Sequence, residues 1–122
     1  YSSAASDVYK RQNENSILHY WKENTPEGDF RIFGNQTALV AFHTAHEVDA
    51  SPRRSGVYDE NIIPIEDYES TLFSNDEDVY LIWIEPNPYE HIYLPHEFSP
   101  VAQIETIIEN EDGGIYLLHR LR

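Results

Sequence analysis

Six consecutive residues, Val79-Tyr80-Leu81-Ile82-Trp83-Ile84, form the longest apolar run of the chain. Successive side chains of a strand point to opposite faces, so such a run is apolar on both. It requires a sheet covered on both sides, with this segment as a central strand. A membrane helix needs roughly 20 apolar residues, so none of this sequence spans a bilayer as a helix and a water-soluble domain is expected.

The flanking segments supply the cover. Ser16 to Asn24 reads as a short helix with Ile17, Leu18 and Trp21 on one stripe. Thr25-Pro26-Glu27-Gly28 ends it, because the residue before proline is driven out of the helical region and glycine supports a turn. Asp29–Phe33 reads as a strand. Asn35 is a favourable cap for a second helix from Gln36 to about His46, with Ala38, Ala41, Phe42 and Ala45 as its inward face. A short extended segment, Glu47–Ala50, leads into a loop, Ser51-Pro52-Arg53-Arg54-Ser55-Gly56. Tyr58–Pro64 is irregular. Pro64 suits the first turn of a third helix, Ile65 to Phe73, with Ile65, Tyr68, Leu72 and Phe73 inward. Pro86 and Pro88 stop the central strand, and one helical turn is expected around Pro95-His96-Glu97-Phe98. Val101–Glu109 and Ile115–Leu121 read as strands joined by Asn110-Glu111-Asp112-Gly113-Gly114, a hairpin signal. The series predicts one α/β domain. Its sheet is expected to be small, mostly parallel, flanked by helices and closed by an antiparallel β-hairpin.

Composition limits the partners. The 122 residues carry 22 Asp plus Glu against 8 Lys plus Arg, a formal charge of −14. A surface of that sign repels phosphate backbones, which argues against nucleic acid, and it argues against docking on anionic lipid through a basic patch. There is no cysteine, hence neither a disulfide nor a thiolate metal site.

Several clusters hold chemistry-bearing side chains without a recognisable pattern. His43, His46 and Glu47 would be neighbours if all three lay on one helix, and two imidazoles with a carboxylate can bind zinc. The spacing is not that of a zinc-helix motif and no fourth ligand stands nearby, so no metal is expected. Glu90-His91 and His96-Glu97 form a second cluster in a proline-bounded loop, with no nucleophile framed beside them. The acidic groups Asp59-Glu60, Glu66-Asp67-Glu69 and Asp76-Glu77-Asp78 lack the ligand spacing of a calcium loop. Gly34-Asn35 lies between a strand and a helix, where α/β folds bind phosphates, yet the glycine-rich fingerprint is missing. Nothing calls for a cofactor. Arg53-Arg54 is the only basic pair after residue 12, a candidate contact for an anion or headgroup, or else for the chain's own carboxylates.

Residues 1–12, Tyr-Ser-Ser-Ala-Ala-Ser-Asp-Val-Tyr-Lys-Arg-Gln, resemble translated sequencing adapter at the broken end of a metagenomic reading frame. Natural sequence is then expected from Asn13, as residues 13–122 of a longer protein, and the segment is set aside like a fusion scar.

From there the order of phrases resembles the extramembrane C-terminal domain of bacterial multi-pass glycosyltransferases of the GT-C class, related to family 39 and to the protein mannosyltransferase and aminoarabinose transferase group. Trp21-Lys22-Glu23-Asn24-Thr25-Pro26 resembles the phrase that ends the first helix in that group, with one spacer fewer. Arg31-Ile32-Phe33-Gly34-Asn35, Ala41-Phe42-His43-Thr44 and Ser51-Pro52-Arg53-Arg54-Ser55 follow in the family's order. The hydrophobic strand Val79–Ile84 and the hairpin Ile104–Leu121 close it. His46 stands where the family commonly has a basic pair, and the linker to the third helix is unusually acidic. The resemblance implies a parent in the cell membrane that moves a sugar from a polyprenyl-phosphate carrier to a lipid, glycan or protein acceptor. Catalytic carboxylates in that group lie in an early extramembrane loop that no position here matches, so none is carried over. This domain would be an extracytoplasmic accessory packed on its own membrane part. Arg53, Arg54 and Asn35 are its candidate contacts to that part or to the carrier or acceptor. Two other readings stand beside it. One is a stand-alone acidic module steering a basic protein partner. The other is a zinc enzyme on His43, His46 and Glu47.

Overall fold

The computed structural model describes residues 15–55, 61–75 and 77–121. The adapter-like segment 1–12, the Asp59-Glu60 pair, Tyr58 and Asp76 lie outside the described residues.

The chain folds as α1 (Ser16–Glu23), β1 (Phe30–Gly34), α2 (Thr37–Thr44), β2 (Val48–Ala50), a 3₁₀ turn (Ile65–Tyr68) continued by α3 (Glu69–Leu72), β3 (Asp78–Ile84), a 3₁₀ turn (Pro95–Phe98), β4 (Ala102–Asn110) and β5 (Gly113–Arg120). The five strands form one sheet in the order β2-β1-β3-β5-β4. The run 79–84 is its central strand, as expected. Val79, Leu81 and Trp83 face a core closed by Ile65, Leu72, Tyr93 and Phe98. Tyr80, Ile82 and Ile84 face a second core closed by α1 and by Val40 of α2. Leu81 and Ile82 are completely buried on opposite faces. Each such side chain contributes about 1.5–3 kcal/mol relative to an exposed one.

Three helical expectations meet the structure differently. α1 forms as read. Asn15 caps it by accepting from the backbone of Ile17 and Leu18 at 3.0 and 3.2 Å, and Ile17, Leu18 and Trp21 are buried. The third helix is only a 3₁₀ turn running into one α-helical turn, although Ile65 and Leu72 point inward as read. α2 corrects the expectation. It begins later, with Gln36 rather than Asn35 at its cap position, and it ends at Thr44, where Ala45 adopts φ 58°. It buries Val40 and turns the expected inward face to solvent, leaving Phe42 82% exposed.

The sheet is mixed, not mostly parallel. β1 runs parallel to β2 and β3, but β5 pairs antiparallel with both β3 and β4. The closing hairpin therefore inserts its second strand between β3 and β4. β5 carries Ile115-Tyr116-Leu117-Leu118 without a polar break, which suits an interior position. β4 alternates with Gln103, Glu105 and Glu109 and takes the edge, where charge discourages further pairing.

The hairpin tip also fixes the start of α1. The Asp112 carboxylate accepts from the Ser16 backbone at 3.1 Å and from its hydroxyl at 2.7 Å. The Asp112 carbonyl accepts from the backbone of Glu85, just after β3. The first helix, the hairpin and the exit of the central strand are thus joined at one end of the sheet.

Candidate functional site

That end of the sheet gathers Asn35, the two arginines and the Glu90-His91 pair, all singled out in the sequence. β1 and β3 are parallel neighbours, and the chain leaves them toward opposite faces. After β1 it enters α2, which belongs to one core; after β3 it reaches Phe98, which belongs to the other. A crevice at such a divergence is where open α/β sheets bind ligands.

Here the crevice is filled by the protein's own amides. Asn35 is 5% exposed. Its Oδ1 accepts from the Ile84 backbone at 2.9 Å, and its Nδ2 donates to the Ile84 carbonyl at 2.8 Å and to Asn87 Oδ1 at 3.2 Å. Gln36 Nε2 donates to the Pro86 carbonyl at 3.1 Å. Asn35 is therefore not the helix cap. It closes the end of β3 as a strand partner would, because the backbone polar groups of Ile84 are buried and must be paired.

From Asn35 the order passes outward. Asn87 Nδ2 donates to the Tyr89 carbonyl at 2.8 Å, and Asn87 Oδ1 accepts from the Tyr89 backbone at 3.2 Å. The following segment runs antiparallel to the Pro-Arg-Arg phrase: Tyr93 donates to the Pro52 carbonyl at 3.0 Å, and Arg53 and Ile92 are bridge partners. The His91 carbonyl accepts from the backbones of Arg54 and Ser55, and the Tyr93 hydroxyl donates to the Ile63 carbonyl.

The two arginines separate in role. Arg54 is taken up internally, donating to the Glu90 carbonyl at 3.0 Å and approaching the Glu97 carboxylate at 3.5 Å. Glu97 also accepts from the Leu94 backbone at 2.9 Å. The expected alternative of an intramolecular ion pair thus holds for Arg54. Arg53 has no ion pair or side-chain hydrogen bond among the described residues. It lines an open cleft of about 260 Å³ together with Ser55, Tyr89, Glu90, His91 and Ile92. Ser55 Oγ and His91 Nδ1 lie 3.2 Å apart on its wall. The sequence marked Arg53, and it marked Glu90-His91 as a separate cluster; only the pairing of two extended segments brings them together. Ser55, Tyr89 and Asn87 carried no signal of their own.

The zinc candidate does not assemble. Ala45 ends α2 before His46 and Glu47, so the helical spacing that would align them with His43 is lost. The His46 ring lies edge-on to Phe30 at 5.1 Å and the His43 ring edge-on to Phe42 at 5.2 Å. Burial, and then the Lys22 ammonium, hold the His43 imidazole below its usual range. No group of three His, Asp or Glu among the described residues can hold a metal ion.

A second polar cleft lies on the other side of the β3 exit, where Tyr116 donates to Glu109 Oε2 at 2.5 Å and Trp83 Nε1 to Glu85 Oε1 at 2.9 Å. Burial, then the hydrogen bond to Glu109 and the nearby carboxylate charges, hold the Tyr116 phenol well above its ordinary range. A proton held that firmly is poorly suited to general-base work near neutral pH.

No family model matches the chain, and neither a curated protein nor a solved structure matches it.

Proposed function

We propose that this chain is an extramembrane C-terminal accessory domain of a multi-pass membrane glycosyltransferase that takes sugar from a polyprenyl-phosphate carrier. One observation carries the reading. The phrases that resemble that group fall, in the same order, on successive elements of one continuous domain. The Trp-Lys-Glu-Asn-Thr-Pro phrase ends α1, with Thr25 Oγ1 bonded to the Trp21 carbonyl at 2.6 Å. Arg31–Asn35 is β1 and its turn, the Pro-Arg-Arg phrase follows β2, and the hydrophobic strand and hairpin form the middle and far edge of the sheet. No group of three or more His, Asp or Glu among the described residues could hold a metal ion. No described helix is long and apolar enough to cross a membrane.

The deciding experiment extends the source reading frame upstream of Asn13. Many hydrophobic segments of about 20 residues, with an acidic loop after the first, are expected. A short soluble start removes the proposal.

An acidic module for a basic partner is the second reading. A cleft of about 800 Å³ along β4, β5 and the entry to β3 favours it, where Glu77, Asp78 and Glu105 outnumber His119 and Arg120. Binding of a basic protein there would weaken steeply between low and physiological salt. Salt-insensitive binding would remove that reading.

A further inference from the structure

We propose that the cleft between the Pro-Arg-Arg phrase and the Pro88–Ile92 segment is a binding site for a phosphate monoester. In it the Arg53 guanidinium pairs with phosphoryl oxygens, and the Ser55 hydroxyl and His91 imidazole complete the set of polar contacts. The site stands on its own geometry, whether or not the parent is a glycosyltransferase.

Four observations meet at this place. First, Arg53 stands apart in a chain of 22 carboxyl side chains. Arg31, Arg54 and Arg120 each face a carboxylate within 3.5 Å, at Asp49, Glu97 and Glu69, while Arg53 faces none among the described residues. The planar guanidinium fork matches two oxygens of a phosphoryl group. Second, Ser55 and His91 are within hydrogen-bond reach of each other on the same wall, so both can turn to a shared acceptor. A hydroxyl and a ring N–H can each donate to a phosphoryl oxygen.

Third, the cleft is held open by contacts other than those of its Arg53, Ser55 and His91 side chains. Asn35 fixes Asn87, Asn87 fixes Tyr89, and Arg54 ties the Glu90 carbonyl and Glu97 together. Two extended segments hydrogen-bonded to each other carry the contact residues, so little ordering entropy is lost on binding. Fourth, size decides the ligand class. About 260 Å³ lies below the roughly 300–1,000 Å³ of a pocket that engulfs a drug-sized molecule. A phosphate with a short attached group fits, with the half-exposed Tyr89 ring as a surface for that group. Glu90 also lines the cleft, and its charge sets an upper limit on affinity, so millimolar binding is expected.

The phosphate can be that of a soluble metabolite or the headgroup of a lipid, and two arms separate them. In the first, phenyl phosphate is titrated into the isotopically labelled 122-residue chain and backbone amide shifts are followed by NMR. Saturable shifts at Ser55 and His91 are expected, weakened at least tenfold in Arg53→Gln, whose melting temperature stays that of the parent chain. In the second, neutral phosphatidylcholine vesicles with and without a short-chain isoprenyl monophosphate are floated with the same two proteins. Flotation that needs both the isoprenyl phosphate and Arg53 assigns a lipid headgroup. Binding in the first arm alone assigns a free phosphomonoester. Absence of saturable shifts at these residues together with no Arg53-dependent flotation overturns the proposal, as does binding that Arg53→Gln leaves unchanged.

Discussion

Gly113 is the position where one side chain would disturb most. It opens β5 opposite Ile84 with φ +135°, and a Cβ there would lie 1.8 Å from the Trp83 carbonyl oxygen. The contact is with backbone at the middle of the sheet, so neither side can yield without breaking the β3–β5 ladder. Gly113→Ala is expected to cost about 3 kcal/mol or more, from backbone strain and overpacking together. That lowers the melting temperature by on the order of 15 °C for a domain of this size. Gly28 provides the control: its φ is +87° but a Cβ would meet nothing within 4 Å, so Gly28→Ala should cost only about 1 kcal/mol. Equal losses in thermal melts of the two variants would show that close approach to Trp83 does not matter. Asn35 illustrates the same scale from the polar side. Its role needs Ile84, 49 positions away, and the sequence around Asn35 offers only the local reading of a helix cap. A short amide before a helix looks the same whether it bonds to the helix or across the sheet.

At the scale of elements, α2 is the instructive case. Its sequence, Thr-Ala-Leu-Val-Ala-Phe-His-Thr, is apolar nearly all round, so periodicity alone cannot choose the buried stripe. The choice falls to the neighbours: α1 and β2 leave room for Val40, and Phe42 goes to solvent. Val40→Ala is expected to cost about 2 kcal/mol, whereas Phe42→Ser should change stability by no more than about 0.5 kcal/mol. Urea unfolding of the two variants gives the ranking, and a larger loss for Phe42→Ser would reverse the assignment of faces. β3 was legible because an unbroken apolar run leaves a strand only one environment. α1 was legible because Ile17, Leu18 and Trp21 define a single stripe closed by Asn15 and by Thr25-Pro26. Strand direction was not, since the hairpin could join the sheet through either of its strands. The clue lay in the contrast between Ile115–Leu118, apolar throughout, and the alternating Gln103–Thr106. The site was half legible: Arg53 and His91 drew notice separately, but their meeting depends on a bridge between Arg53 and Ile92 that no local pattern encodes.

At the scale of the whole molecule, the phenols link stability to pH. Tyr80, Tyr93 and Tyr116 are buried in the two cores, and burial is the largest cause raising each phenol above its ordinary range; nearby carboxylates add to it. The sign follows from proton counts. Above a pH of about 10, where phenols of an unfolded chain lose their protons, the folded protein still holds these three. The unfolded state then binds fewer protons, so stability falls as pH rises. The contribution is complete below about pH 10 and disappears progressively as pH climbs toward the raised folded values. Tyrosinate absorbance near 295 nm should therefore rise in two phases, the later one coinciding with loss of near-ultraviolet circular dichroism. Tyr116 has the largest perturbation, because its hydroxyl is both buried and held by Glu109. Tyr116→Phe removes the group that the folded state must otherwise ionise against that carboxylate. It should move the midpoint of alkaline unfolding upward even if it lowers stability at neutral pH by the loss of one hydrogen bond, about 1 kcal/mol. Those opposite movements in one variant separate proton linkage from simple destabilisation, which would lower neutral stability and the alkaline midpoint together. A midpoint that falls in step with neutral stability would mean that the Tyr116 proton does not govern the alkaline limit of this fold.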